Sequence, residues 1–106
     1  MKLLLDECVP RVLCADFPEH FCRTVSQMRW RGVSNGALLA KAGEEGFDVF
    51  LTVDKNLRHQ QNVRKLPIAV IVVHVPNNDY DVVRPFVPQI ERALARIQPR
   101  ELVVIA

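Results

Sequence analysis

Apolar positions in this chain fall into short unbroken runs separated by stretches with helical spacing. Residues 2–5, 48–53 and 68–75 are rich in Leu, Val, Ile and Phe with few polar interruptions. That is the pattern of strands buried on both faces of a parallel sheet. Residues 21–25 alternate Phe21, Arg23 and Val25 against Cys22 and Thr24, which suits a short strand, and 101–105 supply a last one. Between the strands, Pro10 opens a helix at a position where its missing N–H is not needed, and Val12, Leu13 and Phe17 bury one side. After a loop over 26–33, Ser34 or Asn35 caps a second helix with Leu38, Leu39 and Ala42 facing inward, and Gly46 ends it. A short helix is predicted over 55–62. Phe86, Val87, Ile90, Leu94 and Ile97 recur at helical spacing, with Pro85 and Pro88 tolerated in the first turn. Strands alternating with helices predict an α/β protein. The expected form is a single three-layer α/β/α domain over residues 1–106 with a mainly parallel central sheet of about five strands.

Composition narrows the function classes. A chain of 106 residues supports one domain, and 49% hydrophobic with 25% charged residues excludes a disordered or membrane-embedded protein. A net charge of +2 is too small to argue for nucleic acid by itself, so only the placement of charge can. Cys8, Cys14 and Cys22 are odd in number and form no CxxC pair, which argues against a zinc site or a disulfide framework. They read as small apolar residues of a reducing compartment. With no export signal at the N-terminus, the expected location is cytoplasmic.

Two apolar runs stop on acids: Leu3-Leu4-Leu5-Asp6-Glu7 and Val49-Phe50-Leu51-Thr52-Val53-Asp54. In an open α/β sheet the strand C-termini face the ligand crevice. If the two strands are neighbours, Asp6 and Asp54 meet there at about the 4.8 Å strand spacing. Carboxylates that close share a proton or a divalent cation. Glu7 follows directly and points to the other side. Basic residues gather nearby in sequence: Arg29 and Arg31 flanking Trp30, then Lys55, Arg58, His59, Arg64 and Lys65 among the hydrogen-bonding side chains from Asn56 to Asn62. Such a cluster can hold phosphates while an aromatic ring stacks on a base. The plainer alternatives are that Asp6 caps the helix after Pro10, that Asp54 caps the helix over 55–62, that Trp30 is packed, and that the charged loops are simply solvated. His20 and His74 read as structural.

Taken in order, these motifs carry a resemblance. Leu3-Leu4-Leu5-Asp6-Glu7-Cys8-Val9-Pro10, Arg23-Thr24-Val25, Trp30 to Leu39, and Leu51-Thr52-Val53-Asp54-Lys55-Asn56-Leu57 resemble a family of short bacterial PIN-like proteins, a domain-of-unknown-function group. That family is related to the PIN ribonuclease toxins and to the C-terminal domain of Mut7-type exonucleases. The resemblance spans residues 2 to about 75 and continues into the C-terminal helix. It implies metal-dependent RNA cleavage, often by the toxin of a toxin–antitoxin pair, with a small antitoxin protein as partner. It marks Asp6 and Asp54 as carboxylates for Mg²⁺ or Mn²⁺, with Glu7 beside the first as a further catalytic acid. Asn35, Arg29, Arg31, Lys55, Asn56 and Arg58 are then the candidates for contacting RNA. Dimerisation is common among such proteins, and the apolar segment 101–106 offers an edge for it.

The family pattern begins its middle helix Ser-Asp-x-Glu, whereas this chain reads Ser34-Asn35-Gly36-Ala37. An amide replaces one acid and a methyl the other. Glu44 and Glu45 lie about 13–15 Å further along that helix at 1.5 Å per residue, too far to substitute. A degenerate PIN-like scaffold that binds RNA or a protein is therefore the alternative. A receiver-like signalling domain shares the acid-ended strands, but its expected residues after Asp54 and after the fourth strand are missing.

Overall fold

The computed structural model describes residues 1–62 and 64–106. Five strands form one all-parallel sheet: β1 (Lys2–Leu5), β2 (Phe21–Thr24), β3 (Val49–Thr52), β4 (Ala69–Val73) and β5 (Leu102–Ile105). Their order across the sheet is β2-β1-β3-β4-β5. The connections carry a 3-10 helix (Arg11–Asp16), α1 (Asn35–Glu44), α2 (Leu57–Gln60), α3 (Tyr80–Val83), a second 3-10 turn (Arg84–Phe86) and α4 (Val87–Leu94). The α/β architecture and parallel sheet are thus as the apolar runs predict. No helix among the described residues is long and apolar enough to cross a membrane.

Strand residues alternate between two apolar clusters, as the two-residue period of a strand requires. Leu3, Leu5, Leu51, Ile71 and Val73 pack with Leu13 of the first 3-10 helix, Val83 of α3, and Ile90 and Leu94 of α4. Leu4, Phe50, Val70 and Val72 pack with Leu38, Leu39 and Ala42 of α1 and Leu57 of α2. Every residue of β3 and β4 is buried, which is why these strands read as unbroken apolar runs. Burial of each such side chain stabilises the fold by about 1.5–3 kcal/mol relative to exposure.

Three local features depart from the expectations. The helix after Pro10 is 3-10 rather than α; three residues per turn stack Leu13 above Pro10 and leave Val12 at 55% exposure, outside the core. The C-terminal helix is not continuous from 85 to 97. The 3-10 turn Arg84–Phe86 precedes α4, which ends at Leu94, with Pro85 and Pro88 each near the start of its piece, because neither can donate to the preceding turn. Cys14 and Cys22 are in disulfide contact, against the reading of all three cysteines as unpaired. The tight return from the 3-10 helix to β2 brings them together, a proximity that spacing alone does not reveal. Gly46 ends α1 as expected: it adopts φ +81°, and Phe47 N–H reaches back to the Ala42 carbonyl at 2.9 Å. This left-handed turn after a helix favours glycine.

Candidate functional site

Because all five strands run the same way, the segments that follow β1, β2 and β3 leave from one edge of the sheet. The strand order reverses between β1 and β3, where the connections from the two strands diverge and open a crevice at their C-terminal ends. Asp6 stands there. Its N–H continues the ladder to the Leu51 carbonyl at 3.0 Å, and its side chain is only 9% exposed.

The register decides what Asp6 meets. Leu5 pairs with Leu51, so the residue level with Asp6 is Thr52, not Asp54. The Thr52 hydroxyl donates to Asp6 Oδ2 at 2.7 Å and accepts the Asp54 N–H at 3.0 Å. Asp6 Oδ1 accepts the Glu7 N–H at 2.8 Å, and the Cys8 thiol lies 3.5 Å from both Asp6 Oδ2 and Thr52 Oγ1. Asp54 is half-buried and accepts the Asn56 N–H on Oδ1 at 3.0 Å, an Asx turn that leads into α2. Asp54 therefore shapes the turn before α2, whose N-cap is Asn56. The two acids expected to face each other directly are joined through a buried hydroxyl that sequence reading passed over.

Cys8 is the other residue the sequence did not single out. Burial is the main influence pushing its thiol above the ordinary range, and the neighbouring Asp6 carboxylate acts in the same sense. A thiol so placed is a poor nucleophile at neutral pH. A cavity of about 250 Å³ opens beside it, lined among others by Asp6, Cys8, Pro10, Arg11, Thr24 and Ser26. Asp54 does not line it. A second cavity of about 280 Å³ sits where β3 and β4 begin, beside Phe47, Asp48 and Arg100. It lies at the opposite strand ends, away from the acids.

The remaining candidates divide. Glu7 is exposed and lines the same cavity as Asp6: its Oε1 accepts the Gly32 N–H at 3.2 Å and its Oε2 lies 3.7 Å from Arg31 Nε. It ties the Arg29–Gly32 loop to the end of β1. Arg29 is exposed in the left-handed conformation, φ +62°, a backbone state that costs a non-glycine residue roughly 1–2 kcal/mol. Lys55, Asn56 and Arg58 are exposed after β3. Among the described residues, Arg29, Lys55, Arg58 and Arg64 enter no ion pair. Trp30 is partly buried, edge-on to Phe47 at 6.2 Å between centroids, with Lys41 Nζ 6.0 Å from its ring. It is packed into the α1 side of the molecule rather than presented for stacking. Asn35 sits in the first turn of α1, with no hydrogen bond to either carboxylate among the described residues. No group of three His, Cys, Asp or Glu side chains among the described residues is arranged to enclose a metal ion.

Comparison with family models, with curated proteins and with solved structures returned no match.

Proposed function

We propose that this chain is a PIN-like ribonuclease dependent on a divalent cation, with Asp6 and Asp54 as its metal-binding acids. One observation carries the reading. Asp6 is a buried carboxylate at the strand-order reversal, and among the described residues it has hydrogen-bond donors but no cationic partner. A carboxylate withdrawn from water favours a compensating positive charge. The donor set suits Mg²⁺ or Mn²⁺, which prefer oxygen ligands and accept one or two carboxylates while keeping several waters.

The roles follow from placement. Asp6 and Asp54 would hold the cation, and Thr52 fixes the rotation of the Asp6 carboxylate. Bound there, the cation supplies charge neutralisation at a phosphate and a more acidic water. Arg29 and Lys55 stand on loops leaving the same edge and would contact the RNA backbone, with Arg31 released from Glu7 for the same purpose; Arg58, in α2 beside Arg100 and Glu101 at the start of β5, and Arg64, on the return to β4, would extend that contact away from the acids. Glu7 acts on the loop rather than on the cation. The motif resemblance extends this to a cytoplasmic toxin held by a small antitoxin protein, and to a homodimer joined along 101–106.

A second reading is favoured by Asn35 and Ala37, which stand at the start of α1 where the family pattern has acids. A scaffold that binds RNA without cutting it would need only the basic loops. RNA digestion with Mn²⁺ separates the two. The nuclease reading expects slow cleavage by the wild type, none by Asp54→Asn, and faster cleavage by the Asn35→Asp, Ala37→Glu double variant. Equal inactivity of all three supports the scaffold.

A further inference from the structure

The segment that lines one side of the Asp6 cavity is held by few local interactions. Between the end of β1 and the start of β2 the only regular element is the 3-10 helix Arg11–Asp16. A 3-10 helix is less well bonded than an α-helix, and runs of this length are uncommon. Its N-cap, Pro10, brings no capping side chain, and Leu13 is its one buried residue. β2 is an edge strand bonded to β1 alone, with Phe21 and Arg23 exposed. Cys14 in the helix and Cys22 in the strand meet across this return with Cα atoms 5.5 Å apart, a separation ordinary for a disulfide. Both are half-buried. The third cysteine, Cys8, is engaged instead by Asp6 and Thr52.

The position of the pair gives it a consequence for the cavity. Pro10 and Arg11 line the cavity just ahead of Cys14, and Thr24 and Ser26 line it just after Cys22. A bond between the two sulfurs joins the two stretches of chain that enclose the space.

We propose that Cys14 and Cys22 form a reversible redox clamp that holds the Asp6 cavity in shape when oxidised and loosens residues 7–17 when reduced. The proposal concerns the shape of the cavity and is independent of what occupies it. Oxidation proceeds by thiol–disulfide exchange with a low-molecular-weight disulfide. One protein thiolate attacks a sulfur of that disulfide, expelling a small thiolate and leaving a mixed disulfide. The second protein thiolate then attacks the protein sulfur of the mixed disulfide and expels the other small thiolate. The two cysteines thereby lose two protons and two electrons, and the small disulfide becomes two thiols. Excess dithiol reverses both steps.

The test treats the full chain with oxidised glutathione or with dithiothreitol, then reads alkylation under denaturing conditions, amide exchange and melting. The clamp predicts that the oxidised form retains a single alkylatable thiol, at Cys8, and yields a linked peptide containing Cys14 and Cys22. Amide exchange over 9–17 slows about tenfold in the oxidised form, and melting rises by roughly 10 °C. Cys22→Ser shows no difference between the two treatments. Three alkylatable thiols after oxidation, a linkage through Cys8, or equal exchange in both forms overturns the proposal.

Discussion

The Thr52 hydroxyl donates a hydrogen bond to Asp6 Oδ2 at 2.7 Å across the β1–β3 boundary, and the same oxygen accepts the Asp54 N–H at 3.0 Å. One small side chain thus couples the buried acid to the turn that carries the second acid. Thr52 is fully buried.

Replacing Thr52 by Val keeps the shape and removes the hydroxyl. Asp6 then loses a donor and the Asp54 N–H loses its acceptor. A buried polar group left unsatisfied costs about 1–3 kcal/mol, which for a domain of this size lowers the melting temperature by several degrees to about 20 °C. Thr52→Ser, which retains the hydroxyl, should recover most of the loss. Chemical denaturation of the three proteins checks this; a Val variant as stable as the wild type contradicts the coupling.

Cys8 gives a pH dependence whose sign is fixed. Burial, followed in smaller part by Asp6, raises its folded-state value above that of the unfolded chain. The protonated thiol is therefore favoured by folding, and its contribution is fully present below the unfolded value. From about pH 8.5, the ordinary thiol value, that contribution declines as pH rises, until the folded thiol also ionises. The stability difference between wild type and Cys8→Ser should hold steady below pH 8 or so and then shrink in alkaline solution. Paired urea titrations across this range measure it, and a difference that grows with pH contradicts the assignment.

How much was legible in the sequence depends on which residues carried the information. β3 and β4 are buried along their whole length, so their apolar runs announced both the strands and the sheet type. The acids after β1 and β3 were visible because each closes an apolar run, although Asp6 itself is buried. Thr52 was not visible, because a threonine in an apolar run reads as an ordinary strand former. Only the register, Leu5 with Leu51, puts it rather than Asp54 level with Asp6. The sequence left open whether Trp30 is packed or free, and it gave no sign of the Glu7 contact to Gly32, because the partners Phe47 and Gly32 are fixed by the fold and not by local spacing. The Cys14–Cys22 contact was hidden by the same kind of non-local return.

If the basic loops contact phosphates, binding of single-stranded RNA should weaken steeply with salt, since each neutralised phosphate releases a counterion. Arg31→Ala with Arg58→Ala should weaken binding to all sequences about equally and flatten the salt slope. Filter binding at a series of salt concentrations tests this. Binding indifferent to salt would assign these residues to a solvated surface.

The central claim is that Asp6 and Asp54 together hold a divalent cation, and titration calorimetry with Mn²⁺ tests it most directly. The account predicts one weak site per chain, with affinity reduced at least about tenfold in Asp54→Asn because charge rather than shape retains the ion. Absence of binding to the wild type, or equal affinity in the two proteins, would contradict it.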